Sequence, residues 1–393
     1  MKVVVVAEFY PRAADPVLGS WAHAQAVAAR EAGAEVRVLV LYRPVPQRST
    51  LREGGAAGAA RAAVRALRQP RHATLDGIEV TYVPFVSPPR SRSYGSWGAW
   101  AAPSLALALR GLRHRFGFDL VHAHYAVPAA DAVLRAREAA PLVVSEHGGD
   151  LYHTAPASDA GRAAVERAFA RARVVLANSA AVAERCRGLG AREVQIVHLG
   201  TDVPPEPAPV PREPVIVTVG HLVARKRHAD VVRALWLLRD RHPDLRYVVV
   251  GAGPEREGLG QLASDLGLDG RVEFRGQLPP PAARDAARHA SALVMPSVDE
   301  AFGVAYVEAM AAGVPAVGCQ GEAGPEEIAA TGGGMVLVPP GDVEALADGI
   351  STLLSDAPYR RELCREARAT VQRAFTWERC GAATVAAYEE ALR

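Results

Sequence analysis

The feature that most limits the fold is an alternation of short β-branched runs with helix-period segments, played twice and interrupted once by prolines. The first series is Lys2 to Ala7, Glu35 to Leu41, Gly77 to Val83, Asp119 to Ala123, Pro141 to Ser145, Arg173 to Asn178 and Glu193 to His198. Near-continuous apolar strands of this kind are buried on both faces, which requires helices on both sides of a parallel sheet. After Asp202 the chain reads PPEPAPVPREP, six prolines up to Pro214, which predicts a stiff extended linker. The alternation then restarts with Val215 to Val219, Arg246 to Val250, Val272 to Phe274, Leu293 to Met295, Pro315 to Gly318 and Met335 to Val338. The expectation is an α/β chain of two doubly wound, Rossmann-like domains, residues 1–203 and 204–375, followed by a helix over 376–393. A length of 393 residues suits two cores of about 200 residues each.

Four cysteines, Cys186, Cys319, Cys364 and Cys380, have no paired spacing, which points to reduced thiols in a cytoplasm rather than disulfides or zinc. No run is apolar and long enough to be a transmembrane span, because Gly95, Gly98 and Pro103 break the longest uncharged stretch. Charge is unevenly distributed: 25 basic against 17 acidic residues through Pro205, and 20 against 26 afterwards. Residues 43–115 hold twelve arginines against Glu53, Asp76 and Glu79, which directs an anionic ligand or surface to the first half.

Chemistry concentrates between Met295 and Pro315, MPSVDEAFGVAYVEAMAAGVP. Ala292 to Met295 reads as a central strand ended by Pro296, and a helix is predicted from about Gly303 to Gly313. Glu300 then sits in the strand-to-helix loop and Glu308 about one and a half turns into the helix, both able to face one crevice. Open α/β sheets bind ligands outside the carboxyl ends of their strands, and the amides of Ala301, Phe302, Gly303 and Val304 would meet phosphate or sugar oxygens there. Carboxylates accept paired hydrogen bonds from a vicinal diol, so Glu308 suits a ribose and Glu300 a hexose. Taken alone, the two glutamates fit an amphipathic helix beside an acidic loop equally well.

As a string of fixed letters and gaps, Glu300-Ala-Phe-Gly303, Glu308-Ala-Met-Ala311, Gly313 and Pro315 resemble the signature of glycosyltransferase family 4. The resemblance implies the GT-B fold, in which the two domains face across a cleft and the terminal helix crosses back onto the first. It also implies retaining transfer from a nucleoside-diphosphate sugar, UDP- or GDP-linked, with no metal and no other cofactor. No Asp-x-Asp occurs in the chain.

Other segments extend that expectation. Gly220-His221-Leu-Val-Ala-Arg225-Lys226 is a strand-to-helix turn able to hold a diphosphate. Of 45 basic residues only Lys2 and Lys226 are lysines, so a lysine flanked by Arg225 and Arg227 runs against strong bias, and an ammonium meets phosphate differently from an arginine fork. The family resembles Gly-Arg-Leu followed by lysine at this place. Here the arginine position is His221, which makes that contact pH-sensitive or shifts it to Arg225. By the same resemblance Gln277 and Leu278 lie against the base and His124 touches the transferred sugar. His147, in the Glu146-His-Gly-Gly-Asp150 stretch, opens onto the same sheet edge and joins the donor-binding candidates. Gly19 before the helix from Trp21 lets backbone amides approach a phosphate, although the family often shows two glycines where this chain has one. His122 is the weaker of the strand histidines. Lys226, Glu300 and His124 are the expected catalytic residues.

The acceptor is not readable beyond a lipid-linked or small-molecule glycoside, and nucleic acid is not expected. Arg61, Arg65 and Arg68 beside Val64 and Leu67, and Trp97 and Trp100 near Arg90 and Arg92, suggest peripheral contact with the inner membrane face through Arg48 to Arg115, or an ordinary arginine-rich surface. Competing readings are a nucleotide-sugar epimerase of the same architecture and a non-catalytic nucleotide-sugar-binding protein. A dinucleotide oxidoreductase fits least, because no G-x-G-x-x-G turn follows Val4 to Ala7.

Overall fold

A computed structural model describes residues 1–44, 57, 58, 61, 64, 68–209 and 211–393. Arg48, Arg65 and Leu67 of the basic stretch lie outside the described residues. The chain forms two compact units, residues 1–197 with 378–393, and residues 198–377.

The first unit contains β1 (Lys2–Ala7), β2 (Glu35–Tyr42), β3 (His72–Leu75), β4 (Ile78–Pro84), β5 (Leu120–His124), β6 (Leu142–Glu146), β7 (Val174–Ala177) and β8 (Val194–Ile196). Their order is β3-β4-β2-β1-β5-β6-β7-β8. Val3 to Ala7 are fully buried, as a strand covered by helices on both faces must be. The chain winds outward from β1 and returns to β5 on its other side, so a switch point lies between β1 and β5.

One strand departs from the expected all-parallel sheet. β3 pairs antiparallel with β4 through a tight turn at Asp76 (φ 44°) and Gly77 (φ 77°). An Asp-Gly pair is a strong hairpin signal because both central residues need positive φ. It escaped the strand reading because His72-Ala-Thr-Leu75 has no apolar alternation on an exposed edge. Trp97 is a second correction: it is 4% exposed, and its indole donates to Ser93 Oγ at 3.1 Å, so it belongs to the core rather than to a membrane surface.

The terminal helix, Trp377–Leu392, packs from Glu378 onward on this first unit. Gln25 Nε2 donates to Thr384 Oγ1 at 3.0 Å, and Tyr388 pairs with His122 Nδ1 at 2.7 Å. Gly381 permits the contact, since a Cβ there would lie 2.3 Å from the Ala28 carbonyl oxygen.

The second unit contains β9 (Val215–Val219), β10 (Arg246–Val250), β11 (Val272–Gly276), β12 (Ala292–Val294), β13 (Ala316–Cys319) and β14 (Met335–Val338), in the order β11-β10-β9-β12-β13-β14. All pairs are parallel, and the switch point falls between β9 and β12. Residues 204–208 lie along this unit instead of spanning free: Ala208 N donates to Ala312 O at 2.7 Å, and Arg368 Nη2 to Pro204 O and Pro205 O at 2.5 and 3.0 Å. Proline cannot continue a ladder, but its carbonyls still accept, and an arginine fork uses two of them.

Candidate active site

At the carboxyl end of β12 the chain turns through Asp299 (φ 53°) and Gly303 (φ 85°) into the helix Val304–Ala311. No side chain caps that helix, which leaves first-turn amides able to meet an anion. Ala301 and Phe302 are buried at 5% and 2% exposure. The Phe302 ring stacks on His198 at 6.0 Å and meets Phe375 edge-on at 5.6 Å, so only its backbone is presented to a ligand.

Lys226 closes the short turn Ala224–Lys226 that follows β9, and its ammonium is ion-paired with Glu300 Oε2. Both side chains are 10% exposed. Burial pulls the lysine below its ordinary value while Glu300 opposes the shift. Arg225 Nη1 stands 3.8 Å from the same carboxylate oxygen. Gly220 lies beside the lysine stem: a Cβ there would sit 3.7 Å from Lys226 Cε, an ordinary contact. The next turn does require glycine, at Gly251 and Gly253, whose Cβ atoms would fall 1.9 Å from Gly220 O and 2.3 Å from Leu222 O.

The backbone of Glu300 is held by residues that sequence reasoning passed over. Its N–H donates to Glu322 Oε2 at 2.9 Å, and its carbonyl accepts from Gly324 N at 2.9 Å. Tyr306 O–H donates to the Met295 carbonyl from inside the helix. A Cβ on Gly324 would lie 2.1 Å from Phe302 O. Gly324→Ala is therefore expected to cost about 1–3 kcal/mol, the usual range for overpacking, and to weaken nucleotide binding, which thermal unfolding and titration calorimetry check together.

Glu308 pairs with Arg284 Nη1 at 3.5 Å and is 20% exposed. Burial pushes its carboxyl up to about 7, against the pull of Arg284. Gln277, exposed, and Leu278, half-buried, follow Gly276 (φ 68°) at the end of β11. The His221 side chain is exposed, and its carbonyl accepts from His228 Nε2 at 3.2 Å. Lys226, Glu300, Arg225 and Gly220 are thus brought together; Glu308 is held on a neighbouring helix pair, and Gln277 and Leu278 at the next strand end.

The expected residues of the first unit also gather at a switch point. His124, at the end of β5, is 1% exposed, and its Nδ1 lies 2.9 Å from His147 Nε2 with the rings stacked 5.2 Å apart. Burial drives both below the usual imidazole range, His147 to about 3, so both are neutral at pH 7. His124 Nε2 and His147 Nδ1 are buried with no partner among the described residues. His122 is instead satisfied by Tyr388 and Ser145 Oγ, at 2.7 and 2.8 Å, as a core histidine.

Gly19 (φ 64°) caps the helix Ser20–Glu31, and a Cβ on it would come within 2.2 Å of the Phe9 carbonyl. Gly19→Ala is expected to destabilise this unit by about 1–3 kcal/mol or more, read as a shift in denaturant midpoint. Glu8, one residue beyond β1, is a buried polar group to which the sequence analysis gave no role. It accepts from Arg90 at 3.0 Å and Tyr94 O–H at 2.7 Å. A carboxylate directly after a valine run at a switch point was the available signal. The Arg90 charge is therefore paired with Glu8, although its side chain stays 41% exposed.

The two α/β units, each with polar groups at its switch point, are those of a GT-B glycosyltransferase. The sequence profile described as Glycosyltransferase Family 4 matches residues 19–204, and that described as Glycosyl transferases group 1 matches residues 202–370. A D-inositol 3-phosphate glycosyltransferase of Kribbella flavida is 30% identical over 320 residues, covering 72% of this chain and 74% of the relative. The chain belongs to glycosyltransferase family 4. It spans only 15% of an exopolysaccharide phosphotransferase of Streptomyces coelicolor, to which it is 39% identical over 147 residues, 37% of this chain. Sucrose-phosphate synthase of Thermosynechococcus elongatus superposes with a TM-score of 0.80 at 20% identity, covering 99% of this chain and 98% of that one. Anabaena HepE in complex with UDP-glucose gives 0.71 at 20% identity, covering 99% of each. At that identity the two structures establish the fold.

Proposed function

We propose that this chain transfers a hexose from a nucleoside-diphosphate sugar to an acceptor hydroxyl with retention at the anomeric carbon and without a metal. The observation that carries the reading is the buried Lys226–Glu300 pair at the β9–β12 switch point, beside an uncapped helix start. A fixed ammonium and backbone amides in a site with little water stabilise charge developing on a leaving diphosphate. The acceptor oxygen bonds to the anomeric carbon as the bond to the β-phosphate oxygen breaks, and the departing phosphate takes the acceptor proton. No dedicated strong base is needed. Glu308 holds the ribose diol, Glu300 and the amides of Phe302 and Gly303 orient the sugar, Gln277 and Leu278 flank the base, and His124 and His147 present unpaired ring nitrogens to the sugar. HepE crystallised with UDP-glucose supports a UDP-linked donor, with GDP the alternative.

Calorimetric titration with UDP, GDP, ADP and dTDP in excess chelator tests this. Micromolar binding of one nucleotide is expected. Binding that appears only when magnesium is added would overturn the metal-free reading, and no binding in either condition the donor site itself. Product analysis separates transfer from epimerisation or mere binding.

The proposed acceptor surface includes Trp100 and Leu107, 49% and 70% exposed on the helix Trp97–Phe116, whose last turn carries Arg113 and Arg115. No helix among the described residues is long and apolar enough to cross a membrane. Peripheral contact from a cytoplasmic location therefore rests on this face, and sedimentation with vesicles that shows no dependence on anionic lipid would remove it.

A further inference from the structure

A cavity of about 520 Å³ opens in the second unit at the amino edge of its sheet, against Ser291, which precedes β12, and Pro315, which precedes β13. The groups proposed for the donor stand at the carboxyl ends of the same strands, so this cavity belongs to the opposite edge. Its walls are apolar, made by Pro207, Pro209, Ala290, Val314 and Ala369. One side is the helix Ala357–Ala374, which turns four arginines, 360, 361, 365 and 368, onto the cavity.

Among the described residues no carboxylate lines this space. Arg365 is ion-paired with Glu362. Arg368 donates only to the carbonyls of Ala311, Pro204 and Pro205. Arg360 Nη1 donates to the carbonyls of Leu353 and Leu354, while its Nε is buried with no acceptor. The Arg361 side chain is exposed and makes no ion pair or hydrogen bond among the described residues. Three guanidinium charges without a carboxylate beside an apolar hollow are complementary to one kind of occupant: an anion joined to an apolar body.

We infer that this cavity binds a soluble amphiphilic anion, an aromatic or short-chain carboxylate, sulfonate or phosphate ester. Its apolar part lies between Pro207 and Val314, and its charged group meets the exposed guanidinium of Arg361. The volume suits one small ligand and is too small for a two-chain lipid. The mouth also lacks the apolar belt a bilayer would need: of the large apolar side chains exposed among the described residues, Tyr359 alone belongs to the rimming helix. The inference is independent of the proposed transferase reaction.

The test uses the full chain with octyl phosphate below its micelle concentration, competing against the fluorescent probe anilinonaphthalene sulfonate. Octyl phosphate is expected to displace the probe, with octanol and inorganic phosphate each at least about tenfold weaker. Cys364, a half-buried free thiol of the lining, is expected to be protected from alkylation by octyl phosphate. Arg361→Glu should weaken octyl phosphate at least about tenfold with the unfolding midpoint and nucleotide binding unchanged, and Ala369→Trp should fill the cavity and abolish both displacement and protection. Octanol binding as well as octyl phosphate, or an unaltered affinity in the folded Arg361→Glu protein, would overturn the inference. Capture by anionic vesicles that depends on Arg361 would overturn it too, by assigning the rim to a membrane.

Discussion

Lys226→Ala lowers turnover at least about a hundredfold, the scale set by removing one pre-organised electrostatic donor from a reacting centre. The substitution has a second effect that must be separated from the first. Glu300 loses its ion-pair partner at 10% exposure, and an uncompensated buried charge costs about 3–5 kcal/mol. Arg225, 3.8 Å away, recovers part of this. Lys226→Ala combined with Glu300→Gln removes the stranded charge, so stability returns while turnover stays low. Denaturant unfolding and turnover measured on the single and double variants distinguish the roles. If Lys226 only held Glu300, the double variant would turn over no more slowly than Glu300→Gln alone; a further loss of at least about tenfold beyond that single variant assigns Lys226 its own role at the leaving group.

Nucleoside diphosphate binding strengthens by more than about tenfold between pH 5.5 and 7.5 beyond what the phosphate's own ionisation contributes. The cause is Glu308, whose carboxyl burial raises to about 7 from an ordinary 4.5. Between those values the folded chain keeps a proton that the unfolded chain has released, so the group's contribution to stability is present at low pH and is lost as pH rises through about 7. A ribose diol donates to the ionised carboxylate and reverses that loss on binding, which makes affinity climb as the proton leaves. A 2′,3′-dideoxy nucleotide shares the phosphate ionisation but lacks the diol, so the two ligands should differ in slope. In Glu308→Gln the difference disappears, and the protein is more stable than its parent at pH 8 by up to about 3 kcal/mol. Equal slopes for the two nucleotides in the parent chain would exclude Glu308 from ribose contact.

Strand periodicity, the helix from Val304 to Ala311 with Glu308, and Glu300 in the loop before it are local properties of the chain, set by side-chain alternation, glycine at Gly303 and Gly313, and proline at Pro315. These were legible without coordinates. So was Lys226, because a lone lysine in an arginine-rich composition is a property of the letters themselves. The Asp76-Gly77 hairpin was written in the sequence as well, but its partner strand is an exposed edge with no apolar pattern to mark it.

What the tertiary structure decided is which distant groups meet. That Lys226 spans to Glu300, that Glu322 and Gly324 hold the Glu300 backbone, and that Arg284 faces Glu308 depend on which strands become neighbours in the sheet. Strand order is fixed by packing of whole layers, and no residue records it locally. The stacked pair His124 and His147, the inward turn of Trp97 and the bond from Tyr388 to His122 belong to the same category. The sequence by itself determined the elements, the family and the residue types available for chemistry. Burial and long-range pairing determined their protonation, because the environment that shifts Glu308 to about 7 exists only once separate segments exclude water around it.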